Sequence, residues 1–154
     1  MFIVAILTGG LALVGEVWHT AALREKESEL LYVGNQYRRA IERYYLNGPR
    51  QYPRNLADLI KDQRKPGIER YLRQVYPDPI TGQKDWGLVK APDGGIMGLH
   101  SLSEARPLKS AGFKSRDKDF ETAAKYSEWK FIYAPPLQLA PTPVAKPPAA
   151  PVPQ

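Results

Sequence analysis

The sequence predicts an α+β fold: a long N-terminal helix, apolar at first and amphipathic beyond, packed on a small antiparallel β-sheet and trailed by a disordered Pro/Ala-rich tail. Three observations predict it. Residues 1–15 carry no charged side chain. No proline interrupts residues 1–48. Eight of the 15 prolines fall in residues 135–154. A chain of 154 residues is enough for one ordinary domain. The expected parts are an apolar stretch at 1–23, a domain at 24–134 and a tail at 135–154. The domain's helix is expected at 24–47 and its sheet within 85–134.

The first segment reads MFIVAILTGGLALVG, Met1 to Gly15. At ~1.5 Å per residue it falls short of the ~30 Å hydrocarbon core of a bilayer. Continuing to Leu23 supplies the length and brings in Glu16 and His19. An ionised carboxylate at the bilayer centre costs on the order of 2.5 kcal/mol or more. A transmembrane reading therefore requires Glu16 near an interface, with Trp18 as an interfacial aromatic. Other readings stay open. A signal peptide could be cut at Thr20-Ala21-Ala22, although no Lys or Arg precedes the apolar run. The segment could be the core helix of a soluble protein. The chain could also begin inside a longer apolar run. Arg24 and Lys26 are matched by Glu25, Glu27 and Glu29, so charge gives no orientation.

From Leu23 the pattern changes. Leu23, Leu30, Val33, Tyr37, Ile41 and Tyr44 recur at steps of three, four and seven, which puts them on one helical face. Arg24, Lys26, Glu27, Glu42 and Arg43 fall elsewhere. Asn47-Gly48-Pro49 ends the helix, with Gly48 available for a left-handed cap and Pro49 unable to continue. The tyrosines at 37, 44 and 45 read as core.

The domain opens with Tyr52-Pro53, and Asn55 is placed to cap a short helix over 56–61. Residues 68–75 are expected to form another turn or two of helix. Asp78-Pro79-Ile80-Thr81-Gly82 is a turn cluster. Trp86–Val89 and Ile96–Leu99 flank Asp93-Gly94 and read as a hairpin. Trp86 and Leu88 share one face of the first strand, Met97 and Leu99 one face of the second. Ser101 and Glu104 have capping-box spacing for a brief turn. Residues 113–126 read as irregular or weakly helical. Trp129, Phe131 and Tyr133 alternate with Lys130 and Ile132, as in a strand with one buried face. Three short strands need a hydrophobic partner, and the amphipathic stretch 23–45 supplies it. The tail holds one charge, Lys146, and no aromatic, so it cannot build ladders or a core.

Net charge is +6, with acids interleaved among the cations before the tail. The only adjacent basic pairs noted are Arg38-Arg39 and Arg64-Lys65, so no nucleic-acid partner is expected. The absence of cysteine removes disulfides, Cys-based zinc sites and thiol catalysis. The two histidines, His19 and His100, form no catalytic grouping with Ser and Asp, and no phosphate-cradling glycine loop is present. An enzyme, a cofactor and a small-molecule substrate are therefore not expected. A hydrolase would need His100 beside Asp93 or Glu104. Asp78, Asp85 and Asp93 are weak metal candidates, because a hard cation needs about six converging oxygens.

The layout resembles the pseudopilins of type II secretion systems and their type IV pilin relatives. Carrying the resemblance are the apolar-to-amphipathic helix, Tyr52-Pro53-Arg54-Asn55-Leu56-Ala57-Asp58-Leu59, the Asp78-Pro79 turn, Trp86, and the Asp93-Gly94 hairpin. It covers roughly residues 1–134, through order and spacing rather than any single motif. The resemblance implies a pilin-like, non-enzymatic subunit. It would cross the inner membrane once and hold its C-terminal domain in the periplasm. Assembly with copies of itself or sister pseudopilins would run through the N-terminal helix, with Phe2, Ile3, Val4, Ile6, Leu7, Leu11, Leu13 and Val14 as interface. The prepilin-peptidase junction of Gly-Phe with a Glu five residues on is not present, and Glu16 lies too deep to serve as that Glu. The family's calcium loop is not recognisable, and the tail has no counterpart. The competing function is a membrane-tethered envelope binding or accessory module with no filament role.

Overall fold

The computed structural model describes the backbone of residues 2–136 and the side chains of residues 18–136. Residues 137–154, most of the expected tail, lie outside it. The first element, α1, is one helix over Phe2–Leu46, 45 residues without a break. At the standard rise it is roughly 68 Å long. Three short strands form one antiparallel sheet in the order β1-β2-β3: β1 (Gly87–Lys90), β2 (Ile96–His100) and β3 (Phe131–Ile132). Short 3₁₀ turns at Leu56–Leu59, Ser115–Thr122 and Tyr126–Glu128 complete the regular structure. The described residues are thus α+β, a long helix on a small antiparallel sheet.

The core lies between α1 and the sheet. Leu30, Val33, Tyr37, Ile41 and Tyr44 are buried along the helix, as the stripe predicted, with Ala40 beside them and Leu23 only half-buried, and they meet Ile96, Leu99, Phe120, Tyr126, Trp129 and Phe131. The approach is close: a Cβ on Gly34 would lie 2.4 Å from the Phe131 ring, so only glycine admits the sheet here. Phe113, Phe120, Tyr126 and Phe131 surround this end of the core, with Phe120 stacked on Trp129 at 5.4 Å. Such aromatic pairs add to simple area burial.

The hairpin forms where expected. Ala91 N–H donates to Gly95 O and Gly94 N–H to Ala91 O, and Gly94 takes φ +79°, which glycine adopts without strain. The register slips between Val89 and Lys90, a bulge that absorbs the loop's length. Leu88 opposes Leu99 in the ladder yet stays 40% exposed, because β1 is an edge strand. Trp86 is buried just ahead of β1 rather than within it.

Several expectations need correction. Glu27 is not on the solvent side. It is 3% exposed and lies on the buried stripe between Leu23 and Leu30. Gly48 does not take the left-handed conformation; the positive φ after the helix is at Arg50, +56°. Gly48 is needed for room instead, since a Cβ there would meet the Arg64 guanidinium at 2.2 Å. Residues 68–75 are not helical. Tyr71 and Leu72 N–H groups both donate to Leu59 O and Asp62 N–H donates to Glu69 O, so this segment folds back on the first turn. That first turn is 3₁₀ and shorter than expected, and Asp58 holds its start by accepting from the Arg54 and Asn55 N–H groups. Ser101–Glu104 forms no helical turn; the Ser101 hydroxyl donates to Asp78 and accepts from the Ser103 N–H, not from Glu104 as a capping box requires.

Candidate functional site

The resemblance makes α1 the candidate site, and its surroundings change along its length. From Trp18 to Lys26 every side chain is exposed except half-buried Leu23, and Trp18 is 73% exposed. The domain closes on the helix at Glu27. The expected interface residues Phe2, Ile3, Val4, Ile6, Leu7, Leu11, Leu13 and Val14 lie on α1, but their side chains are outside the described residues. Among the described residues, no helix is long and apolar enough to cross a membrane.

Three charged clusters and one neutral one fasten the domain to α1. At its lower edge, Glu27 Oε1 accepts hydrogen bonds from Leu108 N (2.6 Å), Lys109 N (3.2 Å) and the Tyr126 hydroxyl (2.9 Å). Burial first, then the Glu27 carboxylate beside it, pushes the Tyr126 phenol well up. Two to three turns further along, Arg38 donates to Asp117 Oδ1 at 2.7 Å, and Asn35 donates to Asp117 Oδ2 at 3.1 Å. At the top, Arg64 pairs with Asp62 at 2.7 Å, donates to Tyr44 O and lies 3.5 Å from the centroid of the Tyr44 ring. Asp62 also accepts from Tyr71 at 3.0 Å. These bonds, Arg64's first, hold the Asp62 carboxyl down at about 2. Burial, then Glu69 and Asp62, pushes the Tyr71 phenol up to about 12. Tyr37 and Trp86 both donate to Tyr76 O, and burial pushes the Tyr37 phenol up to about 12.

The metal candidates are separate turn acids. Asp78 is fully buried, accepting from Ile80 N at 2.8 Å and from the Ser101 hydroxyl at 2.5 Å, and so ties the 78–83 turn to the end of β2. Asp93 accepts from Gly95 N inside the hairpin loop, and Asp85 is exposed. Among the described residues no three potential metal ligands converge. His100 Nδ1 donates to Ser101 O and its ring covers Gly87, while Glu104 pairs with Lys125.

Sequence reasoning missed a basic strip. Between Arg106 and Lys118 the chain carries Arg106, Lys109, Lys114, Arg116 and Lys118, with Asp117 as the single acid. Folding brings part of this loop beside Arg39 on α1, lining a groove of about 370 Å³. The signal was available as a local excess of cations.

Comparison with protein-family models, with curated proteins and with solved structures gave no match to this chain.

Proposed function

We propose that the chain is a non-enzymatic, pseudopilin-like subunit of a type II secretion or type IV pilus-related system. In this reading residues 1–23 anchor it in the inner membrane, the domain lies in the periplasm, and α1 packs against copies of itself or sister subunits to support protein export. The observation that carries the reading is the layout of α1. One unbroken helix of 45 residues begins in apolar sequence, and along residues 18–26 only Leu23 is even half-buried before the domain closes on the helix at Glu27. Apolar surface left in water is unfavourable. The anchor hypothesis gives the earlier part a home in lipid or against other such helices.

The test is to replace residues 1–23 with an unrelated transmembrane helix in the native host. Loss of export, with the hybrid still in the membrane and still folded, supports assembly through the helix. Full export by the hybrid would reduce the segment to a tether and sink the filament reading.

A further inference from the structure

Two adjoining grooves, of about 370 and 390 Å³, run between α1 and the 108–117 loop and share Ser28, Leu31 and Lys109 in their walls. Together they follow α1 from Arg24 to Arg39, roughly 22 Å at the helical rise. That length matches about six or seven residues of extended chain. The floor is Leu31, Tyr32 and Phe113, with Tyr32 63% exposed. Arg24, Arg39, Lys109, Lys114 and Arg116 stand around it. The two acids in the walls are engaged internally: Glu27 accepts its three hydrogen bonds, and Asp117 holds Arg38 and Asn35. Arg39, Lys109, Lys114 and Arg116 take no part in the ion pairs of the described residues. The groove therefore offers an apolar floor under net positive charge, five cations against the Glu27 carboxylate, with Asp117 paired to Arg38.

We propose that this groove docks an acidic, aliphatic segment of a partner polypeptide, laid along α1. Aliphatic side chains of the segment cover Leu31 and Tyr32, and its carboxylates meet the cations on both walls. Ser28, Asn35 and Gln36 line the same groove and suit the polar groups of a peptide backbone. A nucleic acid fits less well, because its binding grooves stack successive bases on free aromatic faces. Here Phe113 is packed edge-on against Phe120 and Trp129 and has the Lys109 ammonium 5.0 Å from its centroid, which leaves Tyr32 alone. A lipid surface fits less well too. The cations run lengthwise along the helix, and a plane meeting one end would feel those beyond about 10 Å only weakly. The proposal stands whether or not the apolar helix anchors the chain.

The test uses the full chain in detergent and a fluorescent Glu-Leu repeat peptide followed by anisotropy. The Glu-Leu peptide binds more tightly than its Lys-Leu counterpart, and added salt weakens it. Reversing the exposed pair Lys114→Glu and Arg116→Glu raises its Kd by about tenfold or more, whereas reversing Lys84 and Lys90, exposed but outside the groove, changes it less than about twofold. Circular dichroism and urea midpoints verify that both variants stay folded. Equal binding of the two peptides, or an unchanged Kd in the groove variant, overturns the proposal. So does displacement of the peptide by oligothymidylate or by phosphatidylglycerol vesicles at lower concentration than by unlabelled peptide, and it reassigns the groove to that ligand.

Discussion

Residues 18–26 and residues 27–45 belong to one uninterrupted helix, yet they differ in everything but backbone. In the first stretch only Leu23 is even half-buried; in the second, a stripe from Glu27 to Tyr44 is sealed under the sheet and its loops. The change happens within one turn, at Glu27, whose carboxylate closes the lower edge of the domain. Helical hydrogen bonding is the same on both sides of that boundary. What differs is tertiary burial, the source of most helix stability in proteins. The lesson is that one helix can be held by tertiary burial over part of its length and lie open to solvent over the stretch just before it.

Side-chain truncation gives the largest expected contrast. Trp129→Ala removes a fully buried ring packed on three aromatic neighbours and costs about 3–5 kcal/mol in urea unfolding. Trp18→Ala, in the uncovered stretch, changes the same measurement by no more than about 0.5 kcal/mol. Similar losses at both positions would erase the distinction. The next contrast is between neighbouring acids. Glu27→Ala strands two amides and the Tyr126 hydroxyl and costs about 2–3 kcal/mol, while Glu25→Ala, exposed, is nearly neutral. Adding Tyr126→Phe to Glu27→Ala costs less than the separate losses combined, since one of the stranded groups is gone.

At the top of the helix the expected effect depends on pH. The folded state lowers the Asp62 carboxyl from an ordinary 3.8 to about 2. A depressed carboxyl stabilises the fold fully above its unfolded value, and that contribution disappears as pH falls through the folded value. The window is thus about pH 4 down to about 2, and the contribution about 2 kcal/mol, from the conversion of a pKa shift to free energy. Urea midpoints of the parent chain and Asp62→Asn should converge across that window. A constant gap would mean that the Arg64 pair contributes nothing through ionisation. The smallest effect is expected at Leu88→Thr on the edge strand, about 0.5 kcal/mol or less, because 40% of that residue is already in water.

The long helix was legible because its signals are local and repeated: the 30, 33, 37, 41, 44 stripe and the Asn47-Gly48-Pro49 stop need no knowledge of distant chain. The hairpin was legible for the same reason, through Asp93-Gly94. The partners of Glu27 were not, because Tyr126 stands 99 residues away and a carboxylate on a helix reads as solvated until its donors are known. Gly48 was assigned to the right place for the wrong cause. Its missing Cβ makes room for Arg64, a tertiary fact with no local mark. The turn or two of helix expected at 68–75 is replaced by backbone bonding to Leu59 and Asp62, which no local signal marks. Asp78 and Asp93 read as loose turn acids, and each is indeed bonded within its own turn, with Asp78 tied in addition to Ser101. The basic groove was hidden by composition, since interleaved acids elsewhere mask the local excess between Arg106 and Lys118.

The most direct measurement is the location and orientation of the full chain carrying a C-terminal tag in a Gram-negative host. Membranes are washed at high pH, and spheroplasts are exposed to external protease. The expected result is retention of the chain in washed membranes with the tag removed by protease, as an inner-membrane anchor with a periplasmic domain requires. Release of the chain by the wash, or a tag protected inside intact spheroplasts, would contradict the anchored pseudopilin reading.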